Sequence, residues 1–122
     1  MLLNHVSIQC NDTKASHAFY DAVLAELGAG RIMEHDDVVG YGTLGSFPEL
    51  WVGPFDSGDG FRETHLAFTA RDRDAVDAFF AAAVAQGAEV LYEPKLWPEY
   101  APTYYAAFVR DPDGNNVEAA CM

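Results

Sequence analysis

Thr103-Tyr-Tyr-Ala-Ala-Phe-Val-Arg-Asp-Pro-Asp-Gly-Asn-Asn-Val-Glu-Ala-Ala120 decides how the chain folds. Two runs of β-formers flank Asp111-Pro112-Asp113-Gly114. Pro112 suits the second position of a tight turn, and Gly114 can take the positive φ that closes it. After the turn, alternation puts Val117 and Ala119 on one face and Glu118 on the other, with Ala120. A lone carboxylate in an otherwise apolar strand needs an explanation. Either it faces solvent at an edge, or it points into a cavity and binds something.

The start of the chain supplies the second clue. Leu2 to Cys10 alternate, with Val6 and Ile8 on one face and His5, Ser7 and Gln9 on the other. Asp12 or Thr13 then caps a helix whose apolar stripe is Ala15, Ala18, Phe19, Ala22, Val23 and Leu27, with Gly28 as its stop. His17 falls off that stripe and reads as solvated. Short strands follow at 30–34, 38–44 and 50–52, and the Gly-, Asp- and Pro-rich stretch after them has linker composition.

The opening then repeats. His65-Leu-Ala-Phe-Thr-Ala-Arg-Asp72 stands against His5-Val-Ser-Ile-Gln-Cys-Asn-Asp12, a period of 60 residues. Phe79-Phe80 meets Phe19-Tyr20, and Gly87-Ala88 meets Gly28-Ala29 within one residue. Asp72 is the expected cap of the second helix. Each half therefore reads strand, helix, three strands. The expected fold is α+β: one domain over 1–122 made of two βαβββ modules, about 1–53 and about 64–122, joined by a linker at about 54–63. The second module adds a strand at 89–92 and a proline-rich loop from Glu93 to Pro102, where Trp97 and Tyr100 either cover a pocket mouth or anchor the loop to the core.

Composition narrows the function. Nineteen acidic residues against seven scattered Lys and Arg give a net charge of −12. That opposes nucleic-acid binding, which needs clustered cations, and leaves room for a cationic ligand. No run approaches a membrane span and no signal pattern opens the chain, so a cytoplasmic location and no membrane partner are expected. Cys10 and Cys121 read as structural thiols.

His5 and His65 occupy the same place in the two repeats, and Glu118 lies in the last strand of the second. Two neutral imidazoles and a carboxylate suit a divalent transition metal such as Zn, Ni, Fe, Mn or Co, with positions left for water or substrate. One histidine on a strand is more often a hydrogen-bonded core or surface residue than a ligand; two at equivalent places, with an inward carboxylate, shift the balance. The first-half counterpart of Glu118 stays open. Aligning Gly114 with Gly45 gives Glu49, whereas aligning the apolar strand core gives Trp51.

Together these features resemble the vicinal oxygen chelate superfamily, whose members include glyoxalases, bleomycin resistance proteins and extradiol dioxygenases. The marks are His5-Val-Ser-Ile with Asp12 and Phe19-Tyr20, His65-Leu-Ala-Phe, Gly87-Ala88, and Phe108-Val-Arg-Asp-Pro-Asp-Gly-Asn-Asn-Val-Glu118. The resemblance covers essentially the whole chain. It implies curved sheets around an open cleft, a homodimer as the common assembly, and His5, His65 and Glu118 as metal ligands. It implies a glyoxalase-like enzyme of lyase or isomerase type, whose small substrate chelates the metal through adjacent oxygens. Glu118, displaced from the metal, or Glu49 would then move a proton, and Trp51, Trp97, Tyr100 and one of the pair Tyr104 and Tyr105, of which alternation sends just one inward and Tyr105 is preferred, would wall the pocket. The same resemblance admits a binding protein that sequesters a cationic compound, and an extradiol-type dioxygenase. Glyoxalase I carries a further Glu in the fourth strand of its first module, and the stretch Pro48-Glu-Leu-Trp-Val52 departs from that pattern.

Overall fold

The computed structural model describes residues 2–122. The first module contains β1 (Val6–Cys10), α1 (Thr13–Ala25), β2 (Ala29–His35), β3 (Val38–Thr43) and β4 (Leu50–Pro54). The second contains β5 (His65–Thr69), α2 (Arg73–Ala85), β6 (Val90–Leu96), β7 (Tyr105–Arg110) and β8 (Asn116–Cys121). The two sheets have the same order, β1-β4-β3-β2 and β5-β8-β7-β6, and in each the first strand runs parallel to the last. The βαβββ duplication read from the sequence is the architecture. Among the described residues, no helix is long and apolar enough to cross a membrane.

Local chemistry places the helices where the caps predict. The Asp12 carboxylate accepts from the Ala15 amide at 3.1 Å, and Asp72 accepts from the Ala75 amide at 2.8 Å. Each cap satisfies an amide that the first turn leaves without a partner. Gly28 and Gly87 end the helices with φ near +78° and +79°, where a side chain would be strained.

The helices pack on each other and on one face of each sheet. A single apolar core joins Ile8, Phe19, Tyr20, Val23 and Val52 to Val76, Phe79, Val109, Val117 and Ala119. Two expectations need correction here. Ala18 is exposed and His17 is buried, its Nε2 lying 3.0 Å from the Val52 carbonyl. The helix is rotated so that Tyr20 and Leu24 join the core, because a polar side chain can face a sheet wherever a strand carbonyl receives it. The predicted loop at 93–102 also begins late. β6 continues through Pro94 to Leu96, as an edge strand with register shifts around Tyr92. An edge position tolerates the missing proline amide, which a central strand would not.

The β7–β8 turn also ties the modules together. The Asp111 carboxylate accepts from the amides of Asp113 and Asn115, from the Asn115 side chain, and from the Tyr20 hydroxyl of α1 at 2.7 Å. Asp113 accepts from the Asn11 amide and side chain, both at 3.0 Å. The stretch that decides the fold therefore holds the first module by its β1–α1 junction.

Candidate metal and substrate site

Each sheet has one face on the helices and one open face. In β8, Val117 and Ala119 enter the core while Glu118 points to the open face. Glu118 is nonetheless buried, its side chain 4% exposed, whereas His65 is half exposed at 50%. Its neighbours close over it. Phe108 pairs beside it on β7, and the His65 ring stacks against Phe108 with centroids 6.1 Å apart.

The Glu118 carboxylate has a partner on each oxygen. The His65 Nε2 lies 3.0 Å from Oε2, and the Tyr104 hydroxyl donates to Oε1 at 2.5 Å. Burial, with the hydrogen bond and charge of Glu118, pushes Tyr104 up to about 12, so its hydroxyl keeps its proton at neutral pH. His65 is held on its other side too, its Nδ1 lying 3.2 Å from the Asn116 carbonyl. Both imidazole nitrogens thus face acceptors. A neutral ring has one N–H and can satisfy only one of them. A cation at Nε2, either a second proton or a metal ion, resolves the mismatch. On this observation the His65–Glu118 pair fits a divalent metal.

The third predicted ligand lies elsewhere in the chain. His5 is exposed just before β1, its Nδ1 2.7 Å from the Asn4 side chain. Among the described residues, no three His, Cys, Asp or Glu side chains gather closely enough to hold an ion.

Strand pairing resolves the counterpart of Glu118. Ser7 pairs with Trp51 in the first module, and Ala67 pairs with Glu118 in the second. Ser7 and Ala67 are repeat equivalents, so Trp51 stands where Glu118 stands. Glu49 matches Asn116 instead and is exposed. The Trp51 indole and Pro48 close on Gly40, where an added Cβ would meet each at 2.8 Å.

The aromatic residues divide between the two faces. Trp97 is buried against Phe108 and donates from Nε1 to the Ala106 carbonyl at 3.2 Å. Tyr100 is exposed and stacks on Trp97 at 5.8 Å. The Lys95 ammonium sits 4.0 Å from the Trp97 ring centroid, a cation–π contact. Tyr105 lies on the opposite, helix-facing side, where its hydroxyl donates to Asp77 at 2.7 Å. It does not join the open face. Tyr104 takes that place, and strand alternation, which admits only one of the two, was the signal available for it.

A cleft of about 470 Å³ lies at the other end of β1, between Gln9, Asn11, Phe55, Phe61 and Asp113. Gln9 shapes it by accepting from the amides of Asp56 and Ser57. The His65–Glu118 pair is not among its walls.

The profile of the Glyoxalase/Bleomycin resistance protein/Dioxygenase superfamily matches residues 2–119. No curated protein matches the chain in sequence. Among solved structures, a glyoxalase/bleomycin resistance protein from Albidiferax ferrireducens T118 superposes with a TM-score of 0.85 at 29% identity, covering 98% of each chain. A glyoxalase-related enzyme from Fulvimarina pelagi gives 0.73 at 19% identity, covering 98% of this chain and 88% of its own. Lactoylglutathione lyase from Agrobacterium tumefaciens gives 0.69 at 21%, covering 98% and 92%. The last two likenesses are of fold alone. With its two βαβββ modules and a profile match over nearly its whole length, the chain belongs to the glyoxalase/bleomycin resistance protein/dioxygenase superfamily.

Proposed function

We propose that the protein is a glyoxalase-like, metal-dependent enzyme, with His65 and Glu118 as two ligands and His5 of a second copy as the third. The observation that carries this reading is the His65 ring, with an acceptor at each nitrogen and a buried carboxylate at Nε2. A bound divalent ion would polarise a substrate oxygen and stabilise the negative charge that develops on it. The substrate class that suits such an ion is a small molecule with two adjacent oxygens.

The chain's own groups have distinct parts in this reading. The Asn116 carbonyl fixes the His65 ring so that Nε2 is the metal-directed nitrogen. Glu118 Oε2 would take up or return a proton only when displaced from the ion, since Oε1 is held by Tyr104. Phe108, the β7 neighbour of Glu118, keeps water from the buried side of the carboxylate. Trp51 brings an apolar wall where an acidic fourth ligand would stand, which leaves three protein donors. Glu49 is a proton carrier only if a second copy brings it to the site.

The test is the metal content of protein purified without added metal or an affinity tag, beside His65→Ala. About one ion per chain, lost in the variant, supports the reading. Iron would direct the search to dioxygenase chemistry, and zinc or nickel to isomerase or lyase chemistry. Absence of metal, with none taken up on titration, would contradict it.

One observation favours a second reading, in which the aromatic face binds an organic cation without chemistry. Trp97 already holds the Lys95 ammonium at 4.0 Å, and the chain carries a net charge of −12. That reading expects cation binding that His5→Ala leaves unchanged.

A further inference from the structure

We propose that Tyr104 is a positioning residue that restricts Glu118 to one metal-directed oxygen and couples the Trp97–Tyr104 loop to the occupied site. The inference rests on the metal reading above and deepens it.

The geometry begins at the carboxylate. An ionised glutamate offers two equivalent oxygens and can bind a metal through one or both. Here the oxygens are not equivalent. Tyr104 donates to Oε1, and Oε2 faces His65 at 3.0 Å. A cation arriving beside His65 meets Oε2 alone, because Oε1 is already taken.

Tyr104 is itself held at its backbone and at its ring. The loop is closed by the Trp97 amide donating to the Tyr104 carbonyl at 2.8 Å, and by the Tyr104 amide donating to the Ala101 carbonyl at 3.1 Å. The Tyr104 ring meets Tyr100 edge-on at 5.5 Å, and Tyr100 stacks on Trp97, which is anchored on Phe108. Phe108 is the β7 partner of Glu118. The contacts form a closed circuit from Glu118 through Tyr104, Tyr100, Trp97 and Phe108 back to Glu118. A donor held at the end of such a circuit orients the carboxylate before any ligand arrives, the arrangement expected of an outer-shell partner.

The adjacent tyrosine provides an internal control. Tyr105 has the same hydroxyl and is one residue away, but it faces α2 and donates to Asp77. Tyr105→Phe removes an equivalent group without touching the carboxylate.

The experiment is a Co²⁺ titration of the full-length protein, Tyr104→Phe and Tyr105→Phe, read by affinity and by the visible ligand-field bands. The expected result is tight binding by the unmodified protein and by Tyr105→Phe with the same bands. Tyr104→Phe is expected to bind about 10-fold more weakly, the lower end for loss of an outer-shell partner, and with altered bands as Oε1 becomes free to coordinate. If Tyr104→Phe matches the unmodified protein in affinity and bands, the positioning role is overturned and the metal site stands. If no protein takes up Co²⁺, the metal reading and this inference both fall. A second measurement covers the case in which Tyr104→Phe does not fold. The Zn²⁺-induced infrared difference spectrum of the unmodified protein, with Glu118→Gln to assign the band, should show the wide carboxylate splitting of a one-oxygen ligand. The narrow splitting of a two-oxygen ligand overturns the proposal.

Discussion

The open faces of the two sheets share one backbone and carry opposite contents. Across the second sheet a single row runs Ala67, Glu118, Phe108, Tyr92; the matching row of the first runs Ser7, Trp51, Gly40, Met33. Where the second module sets a large Phe108 beside Glu118, the first sets Gly40 beside a large Trp51. Side-chain volume is exchanged between neighbouring strands while the register is kept. The second module encloses a carboxylate with aromatic rings and His65. The first lays an indole over a glycine and leaves His5 in solvent. One scaffold therefore carries a charged half-site and an apolar half-site, and the reading above needs both.

The largest effect is expected from removing the charge. Glu118→Gln keeps the shape of the side chain and removes the negative charge. Metal affinity should fall by more than the roughly 10–100-fold that an outer-shell loss costs, measured by competition with a chromophoric chelator, while Trp51→Phe leaves one ion per chain in place. Equal losses in the two variants would mean that the modules do not differ as described.

Next in size is the glycine beneath the indole. Gly40→Ala puts a methyl 2.8 Å from both Trp51 and Pro48, and overpacking of this kind costs about 1–3 kcal/mol. Urea unfolding should show a lower midpoint at unchanged slope.

A smaller, pH-dependent effect tests the junction between the modules. Burial, with the charge of Asp111 and the hydrogen bond to it, holds the Tyr20 hydroxyl well above its usual 10.0. The unfolded chain releases this proton near pH 10 and the folded chain does not, so the Tyr20 contribution to stability is present below pH 10 and is lost as pH rises beyond it. Tyr20→Phe should lower stability at pH 7 by about 1–3 kcal/mol, since it leaves a buried acceptor short of one donor. It should also flatten the loss between pH 10 and 11.

The smallest effect expected is at Lys95. Its contact with Trp97 is at the surface, and Lys95→Ala should cost less than about 1 kcal/mol in the same assay.

Much of this was readable from the residues. The repeated His-x-x-x openings, the Asp caps and the Asp-Pro-Asp-Gly turn are local signals, and each fixes structure within a few residues of itself. Strand alternation set Glu118 on the face opposite Val117 and Ala119, while its burial there depends on Phe108 and His65 closing over it. What could not be read depends on phase carried across a loop. Glu49 and Trp51 competed as counterparts of Glu118 because the connections before β4 and β8 are not alike, and only the pairing of Ser7 with Trp51 separates them. Tyr105 was favoured over Tyr104 for the same reason, since the phase with which a loop enters a strand is set by its closure, here the Trp97–Tyr104 backbone bond. His17 looked solvated because its partner, the Val52 carbonyl, is 35 residues away and is contributed by the sheet.

In the proposed assembly the charged pair of the second module is completed by the first module of another copy. The most direct measurement mixes two variants, His5→Ala and Glu118→Gln, after co-refolding, and assays tight metal binding. Each alone lacks one ligand, while a mixed dimer contains one site with His5, His65 and Glu118 all intact. Little tight binding is expected from either variant alone, with a clear recovery in the mixture. Binding by the unmodified protein with no recovery in the mixture would contradict this assembly, placing all the ligands in a single chain.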